Sequence, residues 1–570
     1  MTGQSNTSAS QVFAGAFARH GVDTIFGQSI PSKFFLSTPE FGIRQCTYRT
    51  ENAGAVMADA YARISHKVGV VTGQNGPAAT LLVAGLAEAL TASTPVVALV
   101  QDTPPLWRDR NAFQELDHLD LFKGCTKWVR RVEDTGRIDD YVDMAFRQAV
   151  GGRPGPAVLL SPVNIMEADQ AAASDRTESL SHYPLDRPVA DPAKITEAAD
   201  LIAVAERPII WAGGGVHASG AASVVAQLQE NCHIPVATTT MGKGVADDAH
   251  PLTVGVVGYY MGTYSATKFL KPMMSEADVI VAIGNRTNQN GTDSWQLLPS
   301  GSRLVHIDID PQEIGRNHEA LRLMGDARAT LQALLMELQV RDLSKRAGAR
   351  DAVAGQIADG KARHAAEIEP VATSTAKPLR PERMMADLDK LLTPQHILVA
   401  DASYSSIWLC NNLRSRAAGQ RFLTPRGMAG LGWGLPMAMG AKIARPDAPV
   451  FAMVGDGGFA HVWSELETAR RLGTHVVVAV LNNEILGYQK HAELSRYDDH
   501  TDAVAFTSVD HAAVAEAAGC RGVRVTDPAE FGPAVEEAFA RTDSTTTVID
   551  VMSSPDAHPP ITAFEGKRIV

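Results

Sequence analysis

The sequence predicts an α/β protein made of three doubly wound parallel-sheet domains. Three observations carry that expectation. The chain has 570 residues, too many for one hydrophobic core, so about three domains follow. Two polar stretches, 167–192 and 342–382, divide it into thirds, with helical character at 351–368 inside the second. Each third alternates short apolar runs with amphipathic segments, the pattern of strands buried on both faces between helices. The expected divisions are 1–185, 190–345 and 375–555, followed by a proline-interrupted tail at 556–570 that has the makings of a lid.

The elements follow in chain order. SASQVFAGAFARHG reads as a helix with serine at its start and glycine at its end. VGVVTG and TPVVALVQ read as buried strands. The middle third offers RPIIWAGGG, ADVIVAIGN and RLVHIDID, and the last third HILVAD, APVFAMVGD, HVVVAVLNN and TTTVIDVM. Apolar content of 45% and charged content of 20% are ordinary for a globular protein. A net charge of −12 argues against nucleic-acid or anionic-membrane partners. Five scattered cysteines give no disulfide framework and no metal spacing, as expected of a reducing cytoplasm. The opening residues lack a basic-then-apolar leader, and no run of about 18 apolar residues would span a membrane.

The stretch VGDGGF, 454–459, places Asp456 between glycines where a strand ends. An Asp-Gly hairpin is the simplest explanation. The next segments exclude it: HVWSELETARRLG has helical spacing and THVVVAVLNNE is a second strand, so the unit is strand, helix, strand. If the two strands are neighbours, Asp456 and Asn483 reach the same sheet edge. Gly455, Gly457 and Gly458 leave N–H groups free beside a helix start, which suits phosphate. A carboxylate and an amide oxygen beside phosphate suit Mg²⁺.

GDG followed by NN at this distance resembles the diphosphate–Mg²⁺ motif of thiamine-diphosphate enzymes. The resemblance implies that Asp456, Asn483 and the Ile485 carbonyl ligate Mg²⁺, and that Gly457, Gly458, Tyr404 and Ser405 contact the diphosphate. CTYRTENAGAVMADAYARIS, 46–65, is similar to the family's pyrimidine-domain segment. Glu51 is then the acid that exchanges a proton with the aminopyrimidine and so promotes ylide formation. Thr50 stands where relatives often carry histidine. IFGQSIPSKFF places Gln28 near the reacting carbon, and AFQELD places Phe113 and Gln114 near the cofactor. GMAGLGWGLPMAMGAK is similar to the loop that bends the cofactor, with Leu431 as the apolar wedge and the Ala429 carbonyl as acceptor for the 4′-amino group. Relatives carry ADP, FAD or nothing in the middle domain. For ADP the candidates are Arg286 and Arg153 at phosphate, Asp308 at ribose and Asp326 at adenine. The resemblance also implies a homodimer at minimum, with homotetramers common, because each site is shared between subunits.

The same resemblance points to the group containing acetolactate synthase, benzaldehyde lyase, oxalyl-CoA decarboxylase and 2-hydroxyacyl-CoA lyase. The expectation taken forward is a lyase splitting a short branched 2-hydroxyacyl-CoA, specifically 2-hydroxyisobutyryl-CoA, into formyl-CoA and a carbonyl compound. Glu493 is its candidate base. Lys567, Arg568, Arg414 and Arg416 are its candidate CoA contacts. Pyruvate condensation, oxalyl-CoA decarboxylation and an inactive regulatory subunit are the alternatives.

Overall fold

The structure, a computed structural model, describes residues 7–172, 175–557 and 561–562. It contains three six-stranded sheets. The first is formed by β1 (Thr24–Gly27), β2 (Arg44–Thr47), β3 (Gly69–Gly73), β4 (Val96–Asp102), β5 (Trp128–Arg131) and β6 (Ala157–Pro162). The second is formed by β7 (Pro208–Ala212), β8 (Val236–Thr238), β9 (Thr253–Val256), β10 (Val279–Ile283), β11 (Arg303–Asp308) and β12 (Leu321–Met324). The third is formed by β13 (Ile397–Ala400), β14 (Phe422–Leu423), β15 (Val450–Gly455), β16 (Val477–Asn482), β17 (Arg521–Val525) and β18 (Thr547–Met552). Every pairing in all three sheets is parallel.

The first sheet runs β2-β1-β3-β4-β6-β5 and the third β14-β13-β15-β16-β18-β17. Counted from each domain's own first strand, these are one topology used twice. The middle sheet, β12-β11-β10-β7-β8-β9, has the order of dinucleotide-binding domains, with its crevice where β7 meets β10.

Alternate side chains on each strand go to opposite faces. In the first sheet Val71, Ala98 and Val100 enter one core, while Val70, Val97 and Leu99 enter another. The core on the Val71 side also takes Val399, Val454 and Val478 of the third sheet, so one apolar mass joins the outer domains. Two helices cross inside it, Glu51–Ser65 and Gly434–Ala444. Their backbones touch closely: a Cβ on Gly440 would stand 2.3 Å from the Met57 carbonyl oxygen.

The expected first helix is Ala9–Arg19, closed at its start by a reciprocal Ser8–Gln11 capping box. The helical character at 351–368 belongs to a longer helix, Ser344–Ala372. Among the described residues no helix is long and apolar enough to cross a membrane, and all five cysteines are free.

Candidate active site

The strand–helix–strand reading of Asp456 holds in the structure. β15 and β16 are neighbours, with Gly455 opposite Leu481. Asp456 starts a short helix, Asp456–Ala460. Its Oδ1 accepts the Gly457 N–H at 2.8 Å and its Oδ2 the Glu484 N–H at 2.6 Å. Asn483 turns its amide oxygen toward the Ile485 N–H at 3.3 Å. The carboxylate and the amide therefore meet on one edge. Asp456 is buried, has no ion-pair partner among the described residues, and burial pushes its carboxyl up to about 6. A buried acid without a counter-charge, beside an amide oxygen on a glycine-rich turn, fits a divalent cation with an anionic ligand.

Two flanking loops close this edge. Asp401, just past β13, is fully buried and accepts from the N–H groups of Ala402 at 2.8 Å, Gly432 at 2.9 Å and Trp433 at 3.2 Å. It thereby ties the Tyr404 segment to the Ala429–Leu431 loop. Burial pushes Asp401 up to about 6. A Cβ on Gly458 would fall 2.4 Å from its Oδ2, so the second glycine of the pair is a packing requirement. Ser405 is buried, its Oγ 3.9 Å from where a Cβ on Gly455 would stand, and Tyr404 Oη contacts His491 Nδ1. Ala429 is exposed at φ +60° and Leu431 is half-buried, so both can meet a ligand.

The first sheet presents a second group at its carboxyl edge. Gln28, after β1, donates to the Arg49 carbonyl at 3.0 Å. Glu51 follows β2 and starts its helix behind the Thr50 cap. Burial is the main cause that raises its proton affinity, with the negative Glu465 adding to it. Gln114, at φ +59°, accepts from Gln74 at 2.8 Å, and its carbonyl accepts from Asn75 at 3.2 Å. No hydrogen bond or ion pair among the described residues joins Glu51 to Asp456 or Asn483.

Glu493 lies on the Gly487–Tyr497 helix with Gln489 and Thr501 hydrogen-bonded to it, at 2.9 and 2.8 Å. Those bonds lower its proton affinity, the opposite of what a base requires. Arg414 and Arg416 both pair with Asp389, at 2.6 and 3.0 Å. Lys567 and Arg568 lie outside the described residues.

The crevice between β7 and β10 opens into a cleft lined by Gly213, Gly284, Arg286 and Asp308. Gly213 is pressed against the Gly284 carbonyl, where a Cβ would stand 2.2 Å away. Arg286 lines the cleft without a hydrogen bond to any described residue. Arg153 instead donates to Ser93 and Glu313, at 2.8 and 3.0 Å. Asp308 is buried beside Glu313 and Asp310, and burial pushes it up to about 6. Asp326 accepts from Arg187, Ser219 and the Ala329 N–H.

Sequence reasoning passed over Asp401, although HILVAD ends a strand on an acid just as VFAMVGD does. It also passed over Glu88 and Glu465, whose backbone partners lie in another domain.

The class that fold and site define is an α/β protein with a glycine-rich turn carrying a buried carboxylate and an amide at the carboxyl edge of its last sheet. Comparison with known proteins sharpens this. Residues 7–121, 195–334 and 401–551 match the N-terminal TPP binding, central and C-terminal TPP binding domains of thiamine pyrophosphate enzymes. A probable acetolactate synthase large subunit of Methanococcus aeolicus is 34% identical over 86% of this chain and 83% of its own. One from Methanocaldococcus jannaschii is 31% identical over 97% and 93%. Glyoxylate carboligase of Escherichia coli O157:H7 is 29% identical over 92% and 88%. The chain belongs to the thiamine pyrophosphate enzyme family, and thiamine diphosphate is its cofactor.

Proposed function

We propose that the protein condenses 2-oxo acids by thiamine-diphosphate-dependent carbon–carbon bond formation, in the manner of an acetolactate synthase. The observation that carries this is the meeting of Asp456 and Asn483 on one glycine-rich edge, in a chain whose similarity to acetolactate synthases spans nearly its whole length. Bound thiamine diphosphate would supply an electron sink for negative charge on the substrate's carbonyl carbon when the bond next to it breaks. Asp456, Asn483 and the Ile485 carbonyl would hold Mg²⁺. The N–H groups of Gly457 and Gly458, with Tyr404 and Ser405, would hold the diphosphate. Glu51 would exchange a proton with the pyrimidine ring, a task that its burial suits. Leu431 would hold the cofactor bent. The absence of a hydrogen bond or ion pair between Glu51 and Asp456 among the described residues supports a site completed by a second copy, in a homodimer or homotetramer.

Cleavage of a 2-hydroxyacyl-CoA is the second reading, and two observations favour it. Leu486 and Phe506 pack around Gly457 and give the pocket an apolar wall. Ile561, near the C-terminus, is buried in one cluster with Tyr259, Tyr260 and Tyr404. The placement of Glu493 counts against its role as the base. Incubation with thiamine diphosphate, Mg²⁺ and separate panels of pyruvate, glyoxylate, oxalyl-CoA and 2-hydroxyacyl-CoAs separates these readings. The expected result is consumption of a 2-oxo acid without CoA. Formyl-CoA release from a 2-hydroxyacyl-CoA, with no turnover of 2-oxo acids, would replace the first reading by the second.

For the middle cleft we propose an adenine nucleotide bearing a diphosphate, with the uncommitted Arg286 at phosphate and Asp308 at ribose. Absorbance near 450 nm, roughly where flavin absorbs, would identify FAD. A colourless protein that binds ADP would identify ADP.

A further inference from the structure

Each outer domain sends one buried glutamate into the other. Glu465 stands on the helix Glu465–Leu472, in the crossover after β15. It is fully buried and accepts the Thr50 N–H at 2.9 Å, the Arg49 N–H at 3.2 Å and the Thr50 hydroxyl at 3.3 Å. Those two residues lead directly into Glu51. Glu88 stands on the helix Pro77–Ala92, in the crossover after β3. It is equally buried and accepts the Gly427 N–H at 2.9 Å and the Met428 N–H at 2.5 Å. Those two lead directly into Ala429 and Leu431.

The two contacts are counterparts under the repeated topology. β3 and β15 are each the third strand of their sheet. The gripped backbone in each case leads into the helix after the second strand, Glu51–Ser65 after β2 and Gly434–Ala444 after β14. We propose that Glu88 and Glu465 are reciprocal positioning residues: each sets the cofactor-facing segment of the domain it does not belong to. This rests on reading Glu51 and the Ala429–Leu431 loop as groups that face the cofactor.

The chemistry suits the task. A carboxylate accepting two backbone N–H groups makes short, strong, directional bonds. Ala429 is held in the left-handed region that a Cβ disfavours, so its loop needs an outside restraint to stay in shape. Arg63 completes the grip, donating to the Thr424 carbonyl at 3.0 Å and to Glu88 at 3.2 Å, while pairing with Asp59 at 2.6 Å. A loop released from this grip must be ordered on binding, which weakens affinity without removing a ligand contact.

The test uses full-length chains carrying Glu88→Gln, Glu88→Asp, Glu465→Gln or Glu465→Asp. The aspartates keep the charge and retract the carboxylate, so they carry the test if a glutamine variant does not fold. Three quantities are measured: the melting temperature without cofactor, the affinity for thiamine diphosphate with Mg²⁺ by calorimetry, and deuterium exchange at the C2 of bound thiamine diphosphate. Glu88 variants are expected to bind the cofactor about ten- to a hundredfold more weakly, the size of one or two lost charge-assisted bonds. Glu465 variants are expected to keep affinity within about threefold and to slow C2 exchange more than tenfold, since only Glu51 is displaced. The split between the two pairs is what a merely structural role would not produce. Equal losses in both pairs that track the melting temperature, or no change in either quantity, would overturn the proposal. If the unmodified protein binds no thiamine diphosphate, the functional reading itself fails and takes this one with it.

Discussion

At the scale of single residues, burial and backbone donors decide what each carboxylate can do. Asp401 and Asp456 both stand where an apolar strand ends, both are buried, and both satisfy themselves on backbone N–H groups. They differ in what remains. Asp401 joins loops, whereas Asp456 has no described cation beside it. Among the described residues the Glu51 side chain hydrogen-bonds to no other residue, only to its own backbone N–H, and burial favours its protonated form. Replacing it by glutamine should therefore leave the melting temperature nearly unchanged and lower kcat by about 10²- to 10⁴-fold, the usual worth of a positioned acid–base group; wild-type kcat in a folded Glu51→Gln protein would remove it from the chemistry. Gly458→Ala should act oppositely, through the fold. Its new methyl meets Asp401 at 2.4 Å, and moving that pinned carboxylate should destabilise by about 2–4 kcal/mol, read from denaturant midpoints.

At the scale of elements, the crossing of Glu51–Ser65 with Gly434–Ala444 sets the distance between the outer domains. Gly440 permits that approach. Gly440→Val should lower stability by about 3 kcal/mol or more and loosen both halves of the site, measured by denaturant unfolding and by cofactor affinity. If Gly440→Val keeps wild-type stability, the helices are not in backbone contact. The long central strands were legible in the sequence because a strand buried on both faces must be apolar throughout, as VVVAVLN is. The two-residue β14 and the crossing partners were not. A two-residue strand has no period to read, and Gly440 lies in a small-residue stretch, PMAMGAK, whose partner is more than 350 residues away. Asp456 and Asn483 were legible because one local unit carries both. Glu88 and Glu465 were not, because the backbone N–H groups they accept from belong to another domain.

At the scale of the whole molecule, one topology serves twice, flanking a central sheet with nucleotide-binding strand order. The repeated domains share a core and exchange buried glutamates, yet no hydrogen bond or ion pair among the described residues joins Glu51 to Asp456 or Asn483. The homo-oligomer proposed above resolves this by pairing Glu51 of one copy with Asp456 of another. Chains bearing Glu51→Gln and chains bearing Asp456→Ala should each be inactive alone. Mixed in equal amounts under conditions of subunit exchange, they should recover about a quarter of wild-type activity, because half the dimers regain one intact site of two. Recovery of nothing after verified exchange would place the complete site within one chain.

The central claim is that Asp456 and Asn483 converge to hold a magnesium–diphosphate unit. Calorimetric titration of thiamine diphosphate into the cofactor-free protein, with and without Mg²⁺, tests it most directly when wild type and Asp456→Ala are compared. The result predicted is saturable binding to wild type that depends on Mg²⁺ and disappears in Asp456→Ala while the fold remains. Equal binding by the two proteins, or binding indifferent to Mg²⁺, would contradict it.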